Sequence, residues 1–145
     1  MRFAMRTPTA GLRSTEGATS PVRAPRTILT IDSDPHDRRV LPGHLRRLGY
    51  NVLAADDQDQ GIRQAAAMRP DLIIVDPRLT DVDGYAVCQQ LRERPETRHI
   101  PIILLSAMSR PDIVCSPPGG LCRYVVRKPC DLDTLAALVR SALSE

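Results

Sequence analysis

The run Asp71 to Asp76, DLIIVD, places four consecutive apolar residues directly before a carboxylate and the polar stretch that leads to Gly84. A short apolar run without polar alternation belongs in a sheet covered on both faces, as in parallel α/β folds. A carboxylate at the exit of such a strand, followed by an irregular loop, is where an open α/β sheet places chemistry. Two more runs flank it in sequence. TILTIDSD carries Asp32 and Asp34 at its end, and PIILLSA carries Ser106. A fourth segment, YVVRKP, delivers Lys128 before Pro129. A parallel sheet brings acid, acid, hydroxyl and ammonium to one edge.

The chain has 145 residues with 42% hydrophobic content, enough for one good core and too little for two ordinary domains. Its net charge of +3 belongs to a tail. Residues Met1 to Arg26 hold five arginines and one acid, whereas Thr27 to Glu145 hold 15 bases and 16 acids. Rich in Arg, Thr, Ser, Pro and Gly and without apolar periodicity, residues 1–26 read as a disordered basic tail. The body, 27–145, has no basic helix and only 3% aromatic residues, which speaks against nucleic-acid binding by the body. No apolar stretch approaches the ~18 residues of a membrane span, and no secretory h-region opens the chain. The expectation is a soluble, cytoplasmic protein. Cys88, Cys115, Cys122 and Cys130 show no CxxC spacing, so inert reduced thiols are favoured over a zinc site. His36 and His44 read as solvated helix positions and His99 as a loop residue.

From Thr27 onward, strand and helix patterns alternate. Strands are predicted at Ile28 to Ile31, Asn51 to Ala54, Leu72 to Val75, Ile102 to Leu105 and Tyr124 to Val126. Asp34 and Pro35 supply the cap and first-turn proline of a helix running to about Leu48, stopped by Gly49. Gln58 to Met68 forms a second helix with Ile62, Ala65 and Ala66 on its apolar face, ended by Pro70. Gly84 to Arg92, with Tyr85, Cys88 and Leu91 spaced three apart, forms a third. Asp131 caps a last helix whose stripe is Leu132, Leu135, Val139 and Leu143. This repeat predicts a doubly wound five-stranded parallel sheet in the order 2-1-3-4-5.

Two helices break the pattern. Pro42-Gly43 falls in the middle of the first, where proline costs about 3 kcal/mol, so that helix must kink or begin anew. Between Ser106 and Lys128, SRPDIVCSPPGGLC contains Pro111, Pro117, Pro118, Gly119 and Gly120, so the fourth helix is expected to be shortened or broken.

The motifs IDSDP, PDLIIVDPRLTDVDG, HIPIILLSA and VVRKP, in this order and spacing, resemble the receiver domain of bacterial two-component response regulators. The resemblance covers Thr27 to Leu143 and implies a three-layer, flavodoxin-like α/β fold. It implies that Asp76 accepts a phosphoryl group from a histidine kinase or phosphotransfer protein. Asp32 and Asp76 then hold Mg²⁺ with the backbone carbonyl of Arg78. Ser106 moves to bond the phosphate, Lys128 pairs with it, and Pro129 follows a cis peptide bond. A downstream protein effector, and a homodimer as an option, complete the implied partners, and the chain is not expected to be an enzyme.

The residues support this chemistry without the family name. A carboxylate is a poor nucleophile toward phosphorus unless a cation neutralises the phosphoryl oxygens, and holding that cation requires neighbouring acids. The Lys128 ammonium can stabilise the transition-state charge. A Ser106 hydroxyl that bonds only a phosphate would make modification shift a conformational equilibrium. Taken singly, each of these residues reads as a helix cap or strand-end charge; the four together favour the site.

Departures from the family pattern stand beside the matches. Receivers commonly carry two adjacent acids at the first strand exit, and the second is Ser33 here. Losing that charge weakens Mg²⁺ binding unless Asp34, which reads better as the helix cap, turns inward. Met-Pro after the acceptor is replaced by Leu79-Thr80, and Pro77 removes a backbone N–H. The aromatic three residues before the lysine is replaced by Val125, with Tyr124 one residue earlier. Either the tyrosine serves from a shifted register or the usual coupling is absent. Arg78 and Met108 border the path of hydrolytic water in relatives, and their bulk predicts slow self-hydrolysis. Three readings compete. They are a single-domain response regulator signalling by phosphorylation-dependent protein binding, a degenerate receiver acting as a phosphorylation-independent interaction module, and an unrelated enzyme. For the last, DSDP at Asp32 meets only part of the DxDx[TV] pattern of haloacid-dehalogenase-type phosphatases.

Overall fold

The computed structural model describes residues 25–32, 39–76, 81–106 and 122–144, with the backbone alone at 81–83 and 106. Strands β1 (Thr27–Asp32), β2 (Asn51–Ala55), β3 (Leu72–Asp76), β4 (Ile102–Ser106) and β5 (Tyr124–Arg127) are joined by helices α1 (Val40–Arg47), α2 (Gln58–Met68) and α3 (Asp81–Glu93), with α4 (Leu132–Ser144) last. All strand pairs are parallel, in the order β2-β1-β3-β4-β5. This is the expected doubly wound sheet, and its strand ends share one edge.

Side-chain alternation divides the core into two layers. On one face Leu29, Ile31, Ile73, Val75, Ile102 and Leu104 pack against Ile62 and Ala65 of α2 and Val87, Cys88 and Leu91 of α3. On the other, Ile28, Leu72, Ile74, Ile103 and Leu105 pack against Leu45 of α1 and Leu135, Val139 and Ala142 of α4. Burial on both faces explains why these strands read as unbroken apolar runs.

Local chemistry sets the helix ends. The Asp57 carboxylate accepts the Gln60 backbone N–H at 2.8 Å, and the Gln60 side chain accepts the Asp56 N–H at 2.8 Å, a reciprocal cap that starts α2 where predicted. Arg69 takes a left-handed conformation before Pro70 and ends that helix. Gly49, at φ 101°, terminates α1, a conformation glycine adopts without steric cost.

Three expectations need correction. Within α1 as described, Pro42 sits in the first turn, where the Gly43 N–H donates to the Arg39 carbonyl at 3.1 Å. Helix α3 starts at Asp81 and not at Gly84, because the acids around the glycine suit a first turn. Arg26, assigned to the tail, belongs to the body. Its guanidinium donates to the Leu143 carbonyl at 3.1 Å and its own carbonyl accepts from Asn51 at 2.9 Å. His44 is half-buried, with Nε2 sealed from solvent and without a partner among the described residues, not a solvated position. The tail up to residue 24, the Asp34-Pro35 helix start, His36, Cys115 and the broken fourth helix lie outside the described residues. Of the other cysteines, Cys88 and Cys122 are buried and Cys130 is half-buried.

Candidate functional site

Strand register assembles the acids. Asp32 and Asp76 end neighbouring strands and stand directly opposite each other in the β1–β3 ladder. Both have the parity of Ile28 and Ile74, so both belong to the sheet face covered by α1 and α4. Asp32 is 7% exposed. On the far side of β4, Ser106 pairs with Arg127, which places Lys128 one residue beyond the sheet edge. Its Nζ donates to Asp76 Oδ1 at 2.6 Å, with the two side chains 33% and 16% exposed. The Lys128–Pro129 peptide is cis, as the resemblance implied.

An acid pair and a lysine contributed by three separate strands therefore meet at one point. Two carboxylates on adjacent strand ends are hard oxygen donors of the kind Mg²⁺ takes, and the donor set fits such a cation. No group of three or more His, Cys, Asp or Glu occurs among the described residues. The further ligand candidates Ser33, Asp34 and the Arg78 carbonyl lie outside them, as do the Arg78 and Met108 side chains.

A half-open cavity of about 440 Å³ is lined by Asp32, Asp76 and Lys128 together with residues of α1, β4 and α4, including Val40, Leu41, Leu105, Leu132 and Leu135. Sequence reasoning did not anticipate it; apolar stripes identify which side chains face inward but not how completely they meet. Cys130 also lines it. Burial, followed by the neighbouring Asp131 carboxylate, pushes the Cys130 thiol up, which keeps it protonated and poorly reactive.

The β5 register is regular. Leu104 pairs with Val125 and Ile103 with Tyr124. Val125 packs with the α2–α3 layer, whereas half-buried Tyr124 packs with the α1–α4 layer. The two candidates for a switch residue thus lie on opposite faces of the sheet, and the regular register leaves the tyrosine on the side away from the valine.

Comparison with known proteins agrees with this architecture. The family description "Response regulator receiver domain" matches residues 28–140. The chain is 37% identical over 117 residues to the DNA-binding dual master transcriptional regulator RpaA of Synechocystis, covering 80% of this chain and 48% of that protein. It is 36% identical over 118 residues to the transcriptional regulatory protein AfsQ1 of Streptomyces coelicolor, covering 81% and 51%. It spans about half the length of these curated relatives, and 25% of the response regulator PleD of Caulobacter vibrioides. Among solved structures, the signal receiver domain of a histidine kinase from Syntrophus aciditrophicus superposes with a TM-score of 0.70 at 35% identity, covering 82% of this chain and 90% of that one. The receiver domain of the sensor histidine kinase PA1611 from Pseudomonas aeruginosa, solved with a magnesium ion in its active-site cleft, gives 0.69 at 27% identity, covering 84% and 100%. With the strand order, the paired strand-end acids and the lysine contact already in place, these matches establish that the chain belongs to the response regulator receiver domain family.

Proposed function

We propose that this chain accepts a phosphoryl group on Asp76 from a histidine kinase or phosphotransfer protein and signals by binding a protein partner in the modified state. The observation that carries this reading is the 2.6 Å contact between Lys128 Nζ and Asp76 Oδ1, beside a second, nearly buried carboxylate on the neighbouring strand.

In the transfer, an Asp76 carboxylate oxygen attacks phosphorus. The bond from phosphorus to the donor's nitrogen breaks with its electron pair, and an acyl phosphate forms. A divalent cation such as Mg²⁺, when bound by Asp32 and Asp76, supplies charge neutralisation on the phosphoryl oxygens. Lys128, in contact with Asp76, adds positive charge and holds the product. The low exposure of Asp32 keeps competing water away from the acid pair. We assign Ser106, which ends β4, to bonding the phosphoryl group, and the bulk of Arg78 and Met108 to slowing its hydrolysis.

A second reading, a receiver that binds its partner without phosphorylation, draws on two observations. Only two acids meet at the described site, and Val125 takes the place expected for an aromatic. Incubation of the purified chain with acetyl phosphate and Mg²⁺, followed by intact mass, separates the two. A gain of about 80 Da, the mass of the added phosphoryl group, that needs Mg²⁺ and disappears in Asp76→Asn supports the acceptor reading. A folded protein that gains nothing supports the phosphorylation-independent module.

A further inference from the structure

We propose that modification of Asp76 is read out by movement of the first turn of α4 into the cavity beside the site, making the α1–α4 face the regulated surface of this chain. The proposal rests on Asp76 being the phosphoryl acceptor. Three observations carry it.

The first is the side on which the site opens. Asp32 and Asp76 share the parity of the α1–α4 layer, and Lys128 continues the parity of Tyr124 and Val126, which pack in that same layer. The reacting groups thus open toward α1 and α4.

The second is the connection from Lys128 to the helix. Once Asp76 carries a phosphoryl group, the negative charge that Lys128 contacts at 2.6 Å moves from the carboxylate to the outer phosphoryl oxygens, and the ammonium follows it. Only Pro129 and Cys130 separate Lys128 from Asp131, whose carboxylate accepts the Thr134 backbone N–H at 2.7 Å and the Thr134 hydroxyl at 3.0 Å. That cap fastens the loop to α4, so displacement of the loop displaces the helix start.

The third is where the protein can yield. Half-buried Leu132 lines the 440 Å³ cavity next to core-packed Leu135, so the first residue of α4 has few partner atoms to lose on that side and new contacts to make by closing. The other route from the site runs through Val125. That side chain is β-branched, restricted in rotamer, and held in a layer whose core residues are almost wholly buried. It cannot make the swing of an aromatic. Tyr124, the aromatic of β5, lies on the α4 side and reports the movement.

The test uses the full chain with Mg²⁺ and acetyl phosphate, intact mass to follow phosphoryl occupancy, and hydrogen exchange read by peptide, with Asp76→Asn as control. The expected result is a several-fold change in exchange at 129–139 and in α1. In Leu132→Phe, which fills the cavity, that change is lost while the mass gain persists. Leu41→Phe fills the cavity from the opposite wall and serves if the first variant does not fold. Fluorotyrosine at Tyr124 gives an independent signal that shifts with occupancy in the native chain and not in the filled variant. A mass gain accompanied by exchange changes confined to 102–127, or an unaltered response in a folded cavity-filled variant, overturns the proposal alone. Absence of any mass gain overturns the acceptor reading and this proposal with it.

Discussion

The two faces of the sheet are built from the same strands and behave differently. On the α2–α3 face the packing is close. Leu91, Cys88, Ile73, Ile102 and Leu104 are all 0% exposed. Gly61 lies so near β1 that an added Cβ would sit 2.5 Å from Ile31 Cδ1. The turn after α3 is fastened from within, by the Thr97 hydroxyl donating to the Leu91 carbonyl at 2.6 Å and by Arg92 Nη1 donating to the carbonyls of Arg98 and Ile100. Burial lowers the Arg92 guanidinium from its ordinary value, the nearby Cys88 and Cys122 thiols oppose that shift, and Arg123 adds to it. On the α1–α4 face, several apolar side chains are only half-buried, and a cavity reaches the polar site. One face therefore acts as a rigid backing, and the face that holds the acids retains room to rearrange.

The sharpest way to break this contrast is to truncate a leucine on each face. Leu91→Ala should cost about 2–5 kcal/mol, because a close-packed layer cannot collapse around the void. Leu132→Ala, which enlarges an existing cavity from a half-buried position, should cost roughly 1 kcal/mol. Denaturant unfolding measures both, and equal costs would show that the faces do not differ in packing.

A smaller effect is expected at Gly61. Alanine in a helix interior normally gains about 1 kcal/mol over glycine. Here the new methyl meets Ile31 Cδ1 at 2.5 Å and Cγ1 at 2.6 Å within a side chain only 4% exposed, and overpacking of this kind costs ~1–3 kcal/mol. Gly61→Ala should therefore lower the unfolding midpoint, and a raised midpoint would mean that this face yields more readily than its packing implies.

The smallest effect concerns the cap on the α1–α4 side. The Thr134 backbone N–H, then its hydroxyl, hold the Asp131 carboxyl below its ordinary value. A carboxyl lowered in the folded state adds stability that is fully present above its unfolded value and is lost as pH falls through the folded one. Asp131→Asn keeps an acceptor for the cap but loses the charge. It should melt slightly lower than the native chain at pH 7, with the difference shrinking as the pH falls below about 4. A difference that persists into acid would assign the effect to something other than this carboxylate.

Much of the architecture was legible from particular residues. Helix α2 has the predicted limits because Asp57 and Gln60 close its start and Pro70 its end. Each strand was located to within a residue or two because burial on both faces leaves an unbroken apolar run. The acids and the lysine were legible as strand-exit residues, and the structure brings Asp32, Asp76 and Lys128 to one place. The burial of His44 was not. A polar residue on a short helix takes its burial from the neighbours on other elements, which no local pattern contains.

Strand exits, helix stripes and caps are properties of a few consecutive residues, so the order of elements and the chemistry at their ends could be derived from the chain alone. Which layer receives Tyr124 and which Val125, and on which side the acids open, depends on how β5 and β3 register with their neighbours. How completely α1 and α4 close over that side depends on the meeting of side chains more than 80 residues apart, such as Leu41 and Leu132. These are non-local contacts, and only the folded chain brings them together.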